Sequence, residues 1–356
     1  MSTIKVDNIQ TTTGNDIFTS DANGNITFAG DLTINGTLTA GNLGESSGYT
    51  FPVNNSITFE SDRDGRMGMT LGQARTKLAD QYGFATWGND TSLFDVAGGV
   101  MFWRVPESGT YRLDAYGSEA GTTTASGDGR GIRGFIELTS GVVLRILCGQ
   151  RGISSGNYSG GGGASSVALV CLGGGFKPLL IGGAGCGTSN NDNSNKAIKD
   201  ARYNATDFQG VNTPEPGRGS LYQNSYSSDL TSYWYGGGGA AWSIDGEEGT
   251  IGYWPHSLAR PQNRGIALTN HLPKGGWSEA GYHGGFGGGG STGRDGGAGG
   301  AGSGWRGGDA MYCTTGASPA DGDGGGTCYY DVDLMTNISD LGAWAARGKI
   351  VITRTV

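Results

Sequence analysis

The sequence predicts an all-β protein: an N-terminal β-type attachment or shaft segment, then a β-sandwich head that carries a bundle of glycine-rich polyproline II-type helices. Three observations predict it. Short β-type runs separated by turn residues recur along the chain. Glycine supplies 72 of 356 residues, against a usual share of about 7%. It gathers at 160–163, 173–175, 182–187, 236–239 and 281–308. In the longest of these clusters, Gly281, Gly284, Gly287, Gly290, Gly293, Gly296, Gly299 and Gly302 recur at every third position. Three residues per turn is the polyproline II period, a helix without internal hydrogen bonds. A collagen-like helix also needs proline, and 281–304 has none. Backbone N–H groups are therefore kept and can bond laterally to other rods. A flexible glycine linker is the alternative; the strict period and the rings of Tyr282, Phe286 and Trp305 weigh against it.

Composition narrows the function. Hydrophobic residues make up only 35% of the chain. Ordering glycine costs much backbone entropy, so many backbone hydrogen bonds have to be returned. A net charge of −8 and a pI near 4.9 argue against nucleic acid as a partner. No run of about 18 apolar residues occurs, so no membrane span is expected. The polar start Met1-Ser2-Thr3-Ile4-Lys5-Val6-Asp7 does not read as a signal peptide. With five cysteines and no C-x-x-C pair, mostly reduced thiols are expected; a Cys313–Cys328 pair stays open.

The elements follow in order. Asp21-Ala22-Asn23-Gly24-Asn25 signals a hairpin turn. After it, Ile26, Phe28, Leu32, Ile34 and Leu38 share one face of an extended chain. So thin a face does not stabilise a monomer, which points to burial against copies of itself. Residues 46–95 read as a connector or neck. Within it, Ser56–Glu60 alternates like a strand, and Thr70 caps a short helix running through Gln81, either a surface helix or a short three-chain coil. Strands are expected at 100–106 and 111–116, as a pair at 135–138 and 142–147 around the turn 139–141, and at 167–170 and 178–181. A last strand, 348–353, is expected to return to the sheet opened by 100–105.

Two resemblances emerge from these residues. Met1-Ser2-Thr3-Ile4-Lys5-Val6-Asp7-Asn8-Ile9 and Gly30-Asp31-Leu32-Thr33-Ile34-Asn35-Gly36-Thr37-Leu38 resemble the N-terminal regions of bacteriophage fibre proteins, especially those of marine phages. In 96–356, the matching pieces are Phe102-Trp103-Arg104-Val105-Pro106-Glu107-Ser108-Gly109-Thr110-Tyr111, Leu144-Arg145-Ile146-Leu147-Cys148-Gly149-Gln150-Arg151-Gly152, the run Gly160–Gly163, Pro178-Leu179-Leu180-Ile181 and Gly284–Gly290, in that order. This region is similar to the glycine-rich extracellular domain of anaplastic lymphoma kinase and leukocyte tyrosine kinase. That resemblance implies a β-sandwich whose long loops pack as parallel glycine helices. It does not extend to the receptor's function: kinase and membrane span are not expected here, and most of the receptor cysteines are missing.

Chemical motifs are sparse. Gly129, Gly131 and Gly134 fit G-x-G-x-x-G, but a strand follows where a dinucleotide site needs a helix. His256, His271 and His283 have no metal-ligand spacing. Asp321 and Asp323, with Asp331 and Asp333, offer at most a loose calcium site. No catalytic residues, cofactor or resident metal are expected. The informative side chains are aromatic: Tyr222, Tyr226, Tyr233, Trp234, Tyr235, Trp242, Tyr253 and Trp254, joined by Trp277. Such rings either cap glycine rods or contact a partner.

The expectation is a virion structural protein, a phage tail or capsid fibre made in the host cytoplasm. Residues 1–45 would attach it to other virion proteins and oligomerise it as a homotrimer. Residues 46–95 would be the neck, and 96–356 a head adhering to a host glycan or protein. A non-viral glycine-rich binding module and a polysaccharide-cleaving tailspike are the alternatives.

Overall fold

The computed structural model describes residues 49–121, 126–155, 158–171, 174–188, 199–203, 214, 216, 236–247, 263–278, 281–292, 298–312 and 325–356, together with the backbone of short strands at 18–20, 26–28, 221–222 and 250–251. The chain divides into two compact units, Met1–Glu45 and Ser46–Val356. In the first, β1 (Phe18–Ser20) pairs antiparallel with β2 (Ile26–Phe28), with Phe18 opposite Phe28, on either side of the predicted turn. The side chains of Ile26 and Phe28, and all of Leu32, Ile34 and Leu38, lie outside the described residues.

The second unit contains, in order, β3 (Ser56–Glu60), α1 (Leu71–Leu78), α2 (Phe84–Trp87), β4 (Phe94–Ala97), β5 (Val100–Arg104), β6 (Gly109–Tyr116), β7 (Gly129–Leu138), β8 (Val143–Leu147), β9 (Ser154–Ser155), β10 (Tyr158–Ser159), β11 (Ser165–Val170), β12 (Phe176–Gly182), β13 (Leu221–Tyr222), β14 (Thr250–Ile251), β15 (Ala298–Gly299), β16 (Met311–Tyr312), β17 (Tyr329–Tyr330), β18 (Thr336–Trp344) and β19 (Lys349–Arg354). Two antiparallel sheets dominate. The six-stranded one has the order β17-β12-β11-β8-β5-β4, the five-stranded one β18-β7-β6-β19-β3. The remaining pairs are two-residue ladders.

Period-two alternation explains the main core. Leu113 sits opposite Ile352 and Ala115 opposite Ile350 in one sheet; Trp103 faces Leu144, and Ile146 faces Val167, in the other. All are fully buried between the sheets. The outer face of the six-stranded sheet is covered as well. Val100, Leu147, Ala168 and Ile181 pack there against Leu268, Phe286, Trp242 and Trp305. That second layer explains why Val167–Val170 reads as a continuous apolar run rather than an alternating one. Arg145, 1% exposed, staples the layer down by donating from Nη2 to the carbonyls of Leu268 and Asn270, with its guanidinium over the Phe176 ring. Burial without a carboxylate partner pushes its pKa down to about 10.

Three expectations change. Residues 135–138 and 142–147 are not a hairpin: β7 lies in the five-stranded sheet and β8 in the six-stranded one, so 139–142 crosses between layers. The final strand β19 pairs with β6 and β3, not with β5. Both errors have one cause, since alternation identifies a strand's buried face but not its neighbour. The third concerns 46–95, which is built into the head rather than standing as a neck. β3 forms the edge next to β19, and Phe51, Phe59, Trp87 and Phe94 form an aromatic plug around Trp103. Ring centroids are 5.9 Å apart for Phe51–Trp103 and 5.5 Å for Trp87–Phe94. Helix α1 starts where Thr70 predicts, with a capping box: Thr70 Oγ1 accepts from Gln73 N (3.3 Å), and Gln73 Oε1 accepts from Thr70 N (3.0 Å). It ends at Leu78, before Gln81, whose Oε1 accepts from Thr58 N of β3. Ala74 and Leu78 face the head core, so its apolar side is used within the chain and not in a coil.

Beside the sandwich the glycine clusters form hydrogen-bonded rods. Gly160 and Gly163 donate to Ile153 and Gln150, Gly161 and Ala164 to Gly290 and Gly287, and Gly162 to Gly185, at 2.9–3.1 Å. Residues three apart therefore address the same neighbour, the signature of a threefold helix with lateral bonds. Ala184 and Gly187 repeat the pattern toward Ser303 and Gly300, as do Gly237 and Ala240 toward Ser291 and Gly288. In each of these pairs the partner number falls as the donor number rises, so these neighbours run antiparallel, whereas Ala301 and Gly304, donating to Gly237 and Ala240, make a parallel pair, so the array mixes both directions.

The stretch 281–302 is not one rod. Gly287 and Gly288 have φ of +95° and +89° and reverse the chain, closed by Gly289 N donating to Gly285 O (3.0 Å). Gly281 is likewise a turn residue, with φ +87° and open space around it. Close approach is real at Gly284, Gly290, Gly299 and Gly302, where a Cβ would come within 1.9–2.3 Å of a backbone oxygen of another segment. It is equally tight out of register, at Gly285 (1.8 Å from Gln150 O) and Gly300 (2.1 Å from Gly290 O). A rod flanked on one edge needs glycine at every third position; a rod surrounded by others needs it nearly everywhere. Gly293 and Gly296 lie outside the described residues.

Candidate functional surface

The rods place aromatic residues. Segments 199–203, 236–247 and 263–266 are anchored in the array and hold the ends of the stretches that carry most of the expected contact rings. The side chain of Tyr222, and Tyr226, Tyr233, Trp234, Tyr235, Tyr253 and Trp254 entirely, lie outside the described residues. Trp242 is described and is not a contact residue. It is 6% exposed, packed with Leu268, Phe286 and Trp305 over the outer face of the six-stranded sheet. A rod has no side chains with which to form its own core, and Trp242 supplies one.

A second set of rings stays partly exposed: Trp277, Tyr282, His283 and Tyr158. Trp277 and His283 stack with centroids 6.4 Å apart and planes 25° apart. Tyr282 meets Tyr158 at 5.4 Å. Backbone bonds hold the group together. His283 O accepts from Ile153 N (2.8 Å), Tyr282 O from Thr292 N (3.2 Å), and Trp277 O from the Ser291 hydroxyl (2.8 Å). His283 Nδ1 accepts from Ser278 N at 3.0 Å, which puts the proton of the neutral imidazole on Nε2. Burial first, and then the charge of Arg66, hold the His283 pKa below its ordinary value.

Arg66 is the cation of this surface. Its Nε donates to Gly275 O (3.2 Å), and partial burial lowers its pKa. No carboxylate lies within ion-pair distance of it among the described residues. Asp64, two residues before it, is engaged elsewhere and takes a bidentate bond from Arg347 (2.8 and 3.0 Å). Two hydroxyls of the same backbone unit, Ser278 Oγ and Thr292 Oγ1, are buried without a hydrogen-bond partner. Of this group the sequence singles out only Trp277 as a contact ring. The available signal was position: Tyr158, Tyr282 and His283 each stand just ahead of a glycine run, where a rod ends and a side chain fits again.

The weaker motifs resolve into structure. Gly129, Gly131 and Gly134 lie in β7; a Cβ at Gly131 would meet the Tyr116 ring at 2.6 Å, and one at Gly134 would meet Met335 Cε at 2.6 Å. Asp331 is 5% exposed. Its Oδ1 accepts from Asp333 N and Leu334 N, and its Oδ2 pairs with Lys177 (3.3 Å), so its oxygens close a turn. Asp333 is exposed, and Asp321 and Asp323 lie outside the described residues. Among the described residues no group of three His, Cys, Asp or Glu side chains is arranged to hold a metal. Cys328 is a buried free thiol that accepts from Gly183 N (3.3 Å), so it does not pair with Cys313, which lies outside the described residues. His271 is exposed, and His256 lies outside the described residues. An apolar groove of about 380 Å³ runs between Phe135, Val142, Leu169 and Leu334; Glu137 at its rim is already bonded to Thr110. No helix of the described residues is long and apolar enough to cross a membrane.

No protein-family model matches this chain, and no curated protein matches it in sequence.

Proposed function

We propose that the chain is a structural protein of a bacteriophage particle, a tail or capsid fibre that adheres to the host surface. Residues 1–45 attach it to other virion proteins and trimerise it, and the unit 46–356 is the distal head. The observation that carries this reading is the division of labour in the head. Its rods are joined backbone to backbone, and one group of partly exposed rings, Tyr158, Trp277, Tyr282 and His283, gathers where rods end. Such a scaffold holds contact side chains stiffly at little entropic cost, and several copies on one particle add avidity. The phage-like residues of the N-terminus support the viral context. The test is to raise antibodies against residues 46–356 and apply them to phage particles. Labelled fibre tips and loss of adsorption are expected. Particles that carry no label while the chain accumulates free in the lysate overturn the reading.

A further inference from the structure

We infer that the surface formed by Trp277, His283, Tyr282 and Tyr158 with Arg66 is a binding site for a carboxylate-bearing saccharide. The inference deepens the adhesion reading and rests on it for its biological context, but it stands on its own geometry. Half-exposed rings offer flat apolar faces of the kind that sugar rings stack on. Arg66 adds a planar fork of donors matched to a carboxylate. In a chain of net charge −8, a guanidinium that meets no acid among the described residues, beside a cluster of partly exposed rings, is a departure from the general field. The site thus combines stacking faces with a guanidinium that meets no acid among the described residues. A neutral sugar would use the rings and leave Arg66 unpaired; a simple anion would leave the rings bare. A sugar ring that carries a carboxylate uses both.

The probes are hexagalacturonate and, as the neutral control, maltohexaose, titrated calorimetrically into the full chain. Hexagalacturonate is expected to bind at least tenfold more tightly than maltohexaose. Arg66→Gln should erase that preference, and Arg66→Lys should restore most of it. Trp277→Ala should weaken both sugars at least tenfold. Each variant is checked by circular dichroism against the parent, and Tyr158→Ser, in a two-residue ladder at the edge of the array, serves where Trp277→Ala fails to fold. Equal affinity for the two oligosaccharides, a preference that survives Arg66→Gln, or no binding of hexagalacturonate overturns the inference. The two proposals fail separately. Labelled particles whose heads ignore hexagalacturonate remove the site and keep the fibre; a chain that binds it but is missing from particles does the reverse.

Discussion

At the scale of single residues, glycines of this head fall into two kinds that sequence does not distinguish. A Cβ on Gly290 would lie 1.9 Å from Gly237 O, a backbone atom held by its own rod. A Cβ on Gly175 would meet nothing within 4 Å. Gly290→Val should therefore abolish soluble, protease-resistant head, far beyond the about 0.5–1 kcal/mol of a glycine propensity change. Gly175→Ala should melt at or slightly above the parent, by about 0.4–1 kcal/mol at most. Thermal melts of the two variants check the claim, and a Gly290→Val chain that melts like the parent refutes the packed array. His283 supplies a pH dependence. Its folded pKa lies below the ordinary 6.5, so the contribution is complete above that pH and is lost as pH falls through it toward the folded value. Protonation also removes Nδ1 as the acceptor for Ser278 N. Denaturant melts should show stability declining from pH 7 to pH 5, with a shallower decline in His283→Gln.

At the scale of elements, what period two encodes was legible and what it omits was not. The strands at 100–104, 109–116, 165–170 and 176–182 appear where alternation and apolar runs place them. Their assignment to sheets was not legible, because Ile350 and Ile352 alternate identically whether β19 joins β5 or β6. Residues 46–95 mislead for another reason. Phe51, Phe59, Trp87 and Phe94 come from four short pieces, of which only Ser56–Glu60 shows a period, and only the fold brings their rings together. A chain starting at Val96 should accordingly fail to fold, since it lacks the edge strand β3 and most of the aromatic plug. Were that segment a neck, the truncated head would give an unchanged β-type spectrum. Within the full chain, Thr70→Ala should cost about 1 kcal/mol through loss of the capping box, read as a small drop in denaturant midpoint.

At the scale of the whole molecule, the two units make separable predictions. Residues 46–356 should survive proteolysis as a folded head after cleavage near Glu45. The apolar positions of the first unit are spent on oligomerisation in the proposed fibre. Changing Leu32, Ile34 and Leu38 together to Asp should turn a trimer into a monomer by light scattering and leave the head spectrum intact. A parent chain that is monomeric at micromolar concentration counts against the trimer. The candidate surface was the least legible part. It joins Arg66 and Tyr158 to Trp277, Tyr282 and His283, residues brought together by rods whose glycines carry no sign of which neighbour they meet.

That blankness has a consequence for how the chain finds its fold. A rod of glycine bonded to another rod looks the same after sliding by three residues, so the array is degenerate in register and stores almost no information about it. The choice has to come from the few positions that are not glycine. Ser118 donates from Oγ to Gln150 O and accepts from Gly163 N; Ser303 donates to Gly287 O and accepts from Ala164 N. These hydroxyls work as vernier marks, each fitting at one offset among several that the backbone would accept. The rods supply cohesion, and a handful of serines, with the rings that stop the rods, supply the address.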